Sequence, residues 1–166
     1  MYTIRMGKAE LRDRFIELRD DLSATDVKAW TNQILLSLAT AYDWASVGSV
    51  HVYKSVLKWN EVDTSSVESM LHSRNPAIEV TYGNPNRSMP TPAKQFDVII
   101  IPLLVFDSNL NRIGFGGGWY DRFLSTQPNA TKIGLAYSMQ QAESVPTKSH
   151  DVPLDMVVTQ SQVFKA

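Results

Sequence analysis

The sequence predicts an α/β fold, a three-layer α/β/α sandwich with a mostly parallel central sheet. Segments of strand-like composition alternate along the chain with segments of helical periodicity. One strand segment, Asp97 to Ile101, is too continuously apolar to alternate, which is typical of a strand buried on both faces. No internal repeat, low-complexity tract or linker divides the chain, so we expect residues 1–166 to form a single domain.

The N-terminal part is expected to form two helices. The first runs from Lys8 to Leu22, because its apolar residues recur at helical spacing. Those apolar residues are Leu11, Phe15, Leu18 and Leu22. The second covers about Asp26 to Ala39 and is capped by the hydroxyl group of Ser23 or Thr25.

The rest of the chain is expected to hold five strands and two more helices. The strands are Val47 to Tyr53, Ala77 to Tyr82, Asp97 to Ile101, Lys132 to Tyr137 and Met156 to Thr159. One helix covers Asp63 to His72, and the other includes Phe123 and Leu124. The stretch from Gly83 to Lys94 contains three prolines and is expected to be a loop.

Composition excludes several classes of function. The formal net charge of −1 lacks the basic excess of a nucleic-acid-binding protein. No apolar run approaches the ~20 residues of a membrane span, and the N-terminus has no signal-peptide core. The absence of cysteine excludes disulfides and thiolate metal sites, and it fits a reducing compartment. We therefore expect a cytoplasmic monomer that binds small molecules rather than nucleic acid or a membrane.

A glycine-rich segment, Gly114 to Gly118, follows the most apolar strand and precedes a helix. Glycines let the backbone approach an anion closely, so this order suggests a phosphate site. Arg112 and Arg122 bracket the segment and can form forked hydrogen bonds to phosphate oxygens. Asp121 can hold Mg²⁺ beside bound phosphates. The segment matches neither a Walker loop nor a dinucleotide-binding fingerprint. The alternative interpretation is a flexible turn that binds no ligand.

The first predicted helix carries a basic stripe. At about 100° per residue, Lys8, Arg12 and Arg19 fall within about 40° of one another, beside the apolar face. These groups can point along the surface toward an anion site. The alternative is an ordinary solvated helix with ion pairs at i,i+4 spacing, such as Glu10 with Arg14.

Several motifs resemble the 5-formyltetrahydrofolate cyclo-ligase family, also called methenyltetrahydrofolate synthetases. The segment Phe106-Asp107 and then Arg112 to Leu124 is similar to that family's long signature, which ends in Tyr-Tyr-Asp-Arg and an apolar pair. Other elements follow the family pattern in order, so the resemblance covers nearly the whole chain. They include Lys8 to Arg12, Arg19, Tyr53 to Ser55, Glu61 to Thr64, Lys132 to Tyr137, Gln140, Pro146, His150-Asp151 and Leu154-Asp155.

The resemblance implies ATP- and Mg²⁺-dependent conversion of 5-formyltetrahydrofolate to 5,10-methenyltetrahydrofolate, with Lys8, Arg12 and Asp121 carrying the catalysis. The implied ATP-binding residues are Lys8, Ala9, Glu10, Leu11, Arg12, Arg112, Ile113, Gly114, Phe115, Gly116, Gly117, Gly118, Trp119 and Tyr120. The implied metal ligands are Asp121 and Asp151. The implied folate contacts are Glu61, Phe115, Gly116, Gly117, Gly118 and Trp119, and Trp59 is a further candidate for stacking on a flat ring.

The chain departs from the family pattern at two places. Leu110 stands where the family commonly has glycine, and residues 83–96 form a shortened, proline-rich stretch that lacks two family elements. Because that stretch helps to form the pterin pocket in the family, two alternatives stay open. One is an ATP-using enzyme that acts on another formyl or amide substrate, and the other is a non-catalytic nucleotide- or folate-binding module. His51, His72 and His150 form no recognisable triad or metal spacing and are expected to be structural or surface residues.

Overall fold

A computed structural model describes residues 6–83 and 94–166. It confirms the predicted α/β architecture, because a six-stranded, mostly parallel sheet forms the centre of the molecule. The strands are β1 (Ser49–Tyr53), β2 (Glu79–Gly83), β3 (Val98–Pro102), β6 (Thr131–Leu135), β7 (Met156–Val158) and β8 (Val163–Lys165). Their order in the sheet is β2-β1-β3-β6-β7-β8, and only β8 is antiparallel to its neighbour.

Two short elements outside this sheet were not predicted from the sequence. Strands β4 (Val105–Phe106) and β5 (Arg112–Ile113) pair antiparallel as a small hairpin that follows β3. With two residues each, they are too short for any periodicity to reveal. β8 was missed for a similar reason, since its three residues alternate only once.

Four helices flank the sheet: α1 (Lys8–Asp20), α2 (Ala24–Ala41), α3 (Val67–Arg74) and α4 (Trp119–Ser125). Ser23 rather than Thr25 caps α2, since its Oγ accepts a hydrogen bond from Asp26 N at 3.1 Å. The predicted start of α3 at Asp63 was wrong. Asp63 Oδ1 accepts from Ser65 N at 2.9 Å, and the Thr64 hydroxyl donates to Tyr53 O at 2.8 Å, so both side chains stabilise a turn before the helix begins.

The two faces of the sheet support separate cores, as a three-layer sandwich requires. On β3, Val98 and Ile100 pack with residues of α2 and α3, whereas Ile99 and Ile101 pack with Phe123 and other residues of α4 on the opposite face. A third cluster joins α1 to the hairpin. All residues of β3 except Pro102 are fully buried, which explains why the segment reads as continuously apolar.

Helix α1 buries most of the apolar face that the spacing predicted, since Leu22 also packs partly buried against the core, but Arg19 is buried where Leu18 was expected. Leu11, Phe15 and Arg19 are buried, whereas Leu18 is 39% exposed. These three buried residues follow an i, i+4, i+8 row that faces the hairpin and the neighbouring turn at residues 57–61. The basic stripe is therefore divided, because Arg19 belongs to the interior and Lys8 and Arg12 do not.

The hairpin turn explains the departure at Leu110. Leu110 has a positive φ of 63°, in the left-handed region that favours glycine. Its side chain is buried in the core beneath α4, and its N–H donates to Asp107 O at 3.0 Å. Burial of the leucine side chain in this core compensates for a backbone conformation that favours glycine.

Within residues 6–83 and 94–166, no helix is both long and apolar enough to cross a bilayer. Most of the proline-rich stretch at residues 83–96, namely residues 84–93, lies outside the described residues.

Candidate active site

A pocket of about 350 Å³ lies at the carboxyl ends of the parallel strands. Tyr53, Gly83 and Pro102 are the last residues of β1, β2 and β3, and all three line it. Ligands in open α/β sheets collect at this edge. The glycine loop, residues 114–118, and α1 form further walls of the pocket.

The glycine loop is held by arginines through its carbonyl oxygens. Gly114 O accepts from Arg12 Nε at 2.9 Å, and Gly117 O accepts from Arg122 Nη1 at 3.0 Å. Among the described residues, no hydrogen bond engages the N–H groups of residues 115–117. With its carbonyl groups bound to arginine, the loop leaves donors available for an anion in the pocket.

Gly116 and Gly118 require glycine. Their φ angles of 101° and 65° lie in the region that L side chains rarely adopt. A Cβ at Gly116 would also lie 3.3 Å from Cζ of Arg12. A Cβ at Gly117 would meet nothing within 4 Å. The sequence predicted one flexible glycine cluster, but the structure distinguishes its members.

Arg112 and Asp121 form a partly buried ion pair below the loop. Arg112 Nη2 donates to Asp121 Oδ1 at 2.8 Å, and the same oxygen accepts from Val152 N at 3.2 Å. Burial lowers the pKa of Arg112, and attraction to Asp121 opposes that effect. The sequence predicted that Arg112 forms forked hydrogen bonds to phosphate oxygens. In the structure its guanidinium instead bonds to Asp121 and holds that carboxylate at the pocket.

Lys8 and Asp151 form a second ion pair across the pocket. Asp151 Oδ2 also accepts from Lys148 N at 2.6 Å. Partial burial disfavours the ionised form, but the bonds from Lys8 and Lys148 outweigh it and hold the pKa of Asp151 below its ordinary value. His150 lies at the rim, with Nε2 at 3.9 Å from Asp151 Oδ1.

The two aspartates suit Mg²⁺ that is shared with a ligand. Asp121 and Asp151 both line the pocket, and no hydrogen bond among the described residues occupies Asp121 Oδ2. Mg²⁺ is usually held by one or two carboxylates together with phosphate oxygens and waters. Within residues 6–83 and 94–166, no cluster of three or more acidic or histidine side chains would hold a metal by protein groups alone. The donor set therefore fits Mg²⁺ carried in with a phosphate ligand.

Glu61 supplies a buried carboxylate to the lining of the pocket. It is 5% exposed, and its Oε2 accepts from Val56 N at 2.7 Å. Burial raises the pKa of Glu61, while the Val56 bond and the charge of Arg19 act against that rise. Beside it, burial raises the pKa of Tyr120 and keeps its hydroxyl group neutral.

An aromatic pair lies at the pocket mouth. The ring of Trp59 lies 4.9 Å from that of Phe115, with an interplanar angle of 37°. Trp59 is 41% exposed and Phe115 is 44% exposed, so both offer apolar surface to a bound ring. Both line the pocket, and Trp59 thus lies where stacking requires it.

His51 lies behind the β2 side of the pocket. Its ring packs against Phe96 and Phe123 at centroid distances of 5.4 and 4.8 Å, and burial lowers its pKa to about 4. A Cβ at Gly83 would come within 2.7 Å of this ring. His72 Nε2 donates to Ile78 O at 3.0 Å, outside the pocket.

The structure brings most of the sequence-predicted site residues to one pocket. Five do not line it. Ala9 is exposed, Leu11 is in the core, and Glu10 accepts from Gly7 N at 2.7 Å. Arg19 is buried beside Phe115, and Arg122 donates to Gly117 O. The sequence reasoning missed Tyr53 and Lys54 as lining residues. Their position at the end of a predicted parallel strand was a signal that could have found them. It also missed Lys148, which no motif marks.

Comparison with known proteins identifies the family. The family model described as the 5-formyltetrahydrofolate cyclo-ligase family matches residues 57–160. The chain belongs to that family. The 5-formyltetrahydrofolate cyclo-ligase of Haemophilus influenzae is 46% identical over 65 residues, 38% of this chain and 35% of that protein. The corresponding protein of Escherichia coli K12 is 41% identical over 80 residues, 45% of this chain and 42% of that protein.

Solved structures of methenyltetrahydrofolate synthetases share the fold of this cyclo-ligase family member. The 5,10-methenyltetrahydrofolate synthetase of Mycoplasma pneumoniae superposes with a TM-score of 0.78 at 25% identity, over 93% of this chain and 99% of that one. The synthetase of Aquifex aeolicus gives 0.78 at 24% identity, over 96% and 93%. The matched segments cover less than half the length of the two curated relatives, whereas the fold agrees along almost the whole chain.

Proposed function

We propose that the chain closes the ring of 5-formyltetrahydrofolate to give 5,10-methenyltetrahydrofolate, with cleavage of ATP to ADP and phosphate in the presence of Mg²⁺. The observation that carries this proposal is the composition of the pocket. It combines basic groups and loop N–H groups that have no partner among the described residues with a buried carboxylate and aromatic rings. The first set suits a nucleotide phosphate, and the second suits a flat heterocycle with N–H donors.

The chemistry explains why ATP is needed. The formyl group is an amide, and donation from nitrogen makes its carbon a poor electrophile. Transfer of the γ-phosphoryl group to the formyl oxygen forms an O–P bond, breaks the bond to ADP and leaves an activated iminium phosphate. N10 of the folate then attacks that carbon, the C–O bond breaks with loss of phosphate, and N10 releases its proton. The task left to the protein is alignment and charge stabilisation.

The pocket residues suit those tasks. Lys8 and Arg12 lie beside the loop and would stabilise the transferring phosphoryl group together with the loop N–H groups. Asp121 and Asp151 would hold Mg²⁺, which supplies neutralisation of phosphate charge when it is bound. Glu61 and the aromatic pair would hold the folate, so that its formyl group meets the nucleotide at the loop.

The test is direct. The purified chain is mixed with ATP, Mg²⁺ and 5-formyltetrahydrofolate, and the absorbance of the methenyl product is followed. Product formation that requires all three components supports the proposal. ATP binding without product would refute it and leave the two alternatives. A screen of other formyl and amide compounds for substrate-dependent phosphate release then separates a different substrate from a binding module.

We also propose that the chain acts as a cytoplasmic monomer. The cysteine-free sequence suits a reducing compartment. Light scattering of the active protein tests the first part, because a dimer would contradict it. Cell fractionation tests the second.

A further inference from the structure

Arg19 is buried without a hydrogen bond at Nε, as is Arg112, but Arg112 pairs with Asp121, whereas Arg19 has no ion pair in the described part of the chain. It is 3% exposed, and its Nε lies out of contact with water and with any partner in the described part of the chain. Taking a guanidinium out of water costs free energy unless its donors are satisfied. A purely structural position on this buried row of α1 would be filled better by an apolar residue, as Leu11 and Phe15 fill theirs.

The surroundings of Arg19 connect it to the pocket on two sides. Its Cζ lies 5.3 Å from the ring centre of Phe115, on the glycine loop. Its backbone oxygen accepts from Asn60 Nδ2 at 2.9 Å, and Asn60 lies between Trp59 and Glu61 in the chain. Asn60 has a positive φ of 49°, so this bond stabilises the tight turn that presents its two neighbours to the pocket.

Arg19 and Glu61 attract each other without direct contact. Burial lowers the pKa of Arg19, and Glu61 is the strongest group that opposes this effect. No ion pair joins the two side chains anywhere in the described ranges. The other titratable groups that face Glu61 are the phenols of Tyr53, Tyr120 and Tyr137, all buried or half-buried and uncharged at neutral pH. Arg19 is thus the cation that compensates the charge of Glu61.

We propose that Arg19 is a positioning residue of the pocket, which keeps the Glu61 carboxylate ionised and supports Phe115 from behind. This role rests on the proposed function, in which Glu61 accepts hydrogen bonds from N–H groups of the folate. An ionised carboxylate offers acceptors only, whereas a protonated one gives up part of that capacity. Support of the Phe115 ring by the guanidinium keeps it facing Trp59 at the mouth.

The test compares Arg19→Met with Arg14→Met. Arg14 is exposed on the same helix and also lies over an aromatic ring, Phe15, but it does not line the pocket. The first measurement is the titration of the Glu61 carboxyl carbon by NMR in the ligand-free protein, assigned with Glu61→Gln. The second is the pH profile of kcat/KM for 5-formyltetrahydrofolate.

In R19M we expect the pKa of Glu61 to rise by about one unit, because an opposing positive charge is removed. The acidic limb of the pH profile moves to higher pH by the same amount. On that limb, at pH values below both pKa values, kcat/KM falls about tenfold, which corresponds to about 1.4 kcal/mol. R19K keeps the charge and therefore keeps the titration of Glu61 near that of the wild type. In R14M we expect the pKa of Glu61 and the pH profile of kcat/KM to equal those of the wild type.

A Glu61 pKa in R19M equal to that in R14M overturns the proposal. If R19M does not fold, R19Q is used instead, because glutamine removes the charge and keeps a polar end group. The titration is read without ligand, so the two proposals fail separately. A wild-type chain that forms no methenyl product refutes the proposed function, and the titration still decides the role of Arg19.

Discussion

Replacing Gly116 with alanine is the sharpest test of the glycine loop, because the structure offers a matched control one residue away. At Gly116 the φ angle is 101°, and a Cβ would lie 3.3 Å from Cζ and 3.4 Å from Nε of Arg12. At Gly117 no positive φ is present, and a Cβ would meet nothing within 4 Å. The two alanine variants share chemistry and loop, and differ only in backbone conformation and contact.

The expected loss of stability in G116A follows from these two differences. An L residue in the left-handed region costs roughly 1–2 kcal/mol, and φ of 101° lies beyond its centre. The close approach to Arg12 adds to this cost, because that guanidinium is fixed by its bond to Gly114 O. We expect G116A to lose about 2 kcal/mol of unfolding free energy, and its Tm to fall by about 4 to 8 °C. G117A stays within about 0.5 kcal/mol of wild type.

The assay combines urea unfolding with the KM for ATP. If the loop of G116A relieves its strain by rotating, the loss of stability shrinks but Arg12 and the loop N–H groups move. We then expect the KM for ATP to be at least about tenfold higher in G116A than in G117A, a difference of about 1.4 kcal/mol. A G116A variant that matches G117A in both stability and KM would refute the reasoning.

Three further variants test the metal site, the core beneath α4 and the aromatic pair. Asp121→Asn is expected to lower kcat and to require more Mg²⁺ for half-maximal rate, and also to cost about 1 to 2 kcal/mol of stability, because buried Arg112 loses a charged partner. An unchanged Mg²⁺ titration would remove Asp121 from the metal role. Leu110→Gly is expected to lower the free energy of unfolding, measured in urea, by about 2 kcal/mol. Glycine relieves the cost of the positive φ, but the loss of a buried side chain outweighs that gain. A stabilised variant would contradict this. Trp59→Ala is expected to raise the KM for 5-formyltetrahydrofolate about two- to tenfold, with most of the loss recovered in Trp59→Phe; equal values for both variants would exclude stacking.

The central strands of the sheet, unlike β8, were predictable because burial on both faces leaves a strong compositional trace. The stretch Val98 to Ile101 illustrates this, and the glycine loop was recognisable from its place after that strand. Periodicity predicted the burial of Leu11 and Phe15 on α1, but not of Arg19 in place of Leu18, since Leu18 and Arg19 each fit a helical row. The structure buries Arg19 because Phe115 and Glu61 come to it from distant parts of the chain.

The site residues show the same division. Lys8, Arg12 and Asp121 were marked by motifs, and all three line the pocket. The bond between Arg112 and Asp121 could not be predicted, because the sequence shows both residues but does not show that their side chains pair in the folded protein. Pairings of this kind depend on tertiary packing and leave no local pattern.

The ion pair between Lys8 and Asp151 has a consequence for how activity arises during synthesis of the chain. Its two members are separated by 143 positions, so this one part of the pocket requires both the first helix and the segment around residue 151. Closing such a long loop is slow and becomes possible only after the intervening strands have paired. A nascent chain that has already folded its first strands still lacks the complete pocket. Catalytic competence should thus appear late, and recovery of activity would report on the last stage of folding.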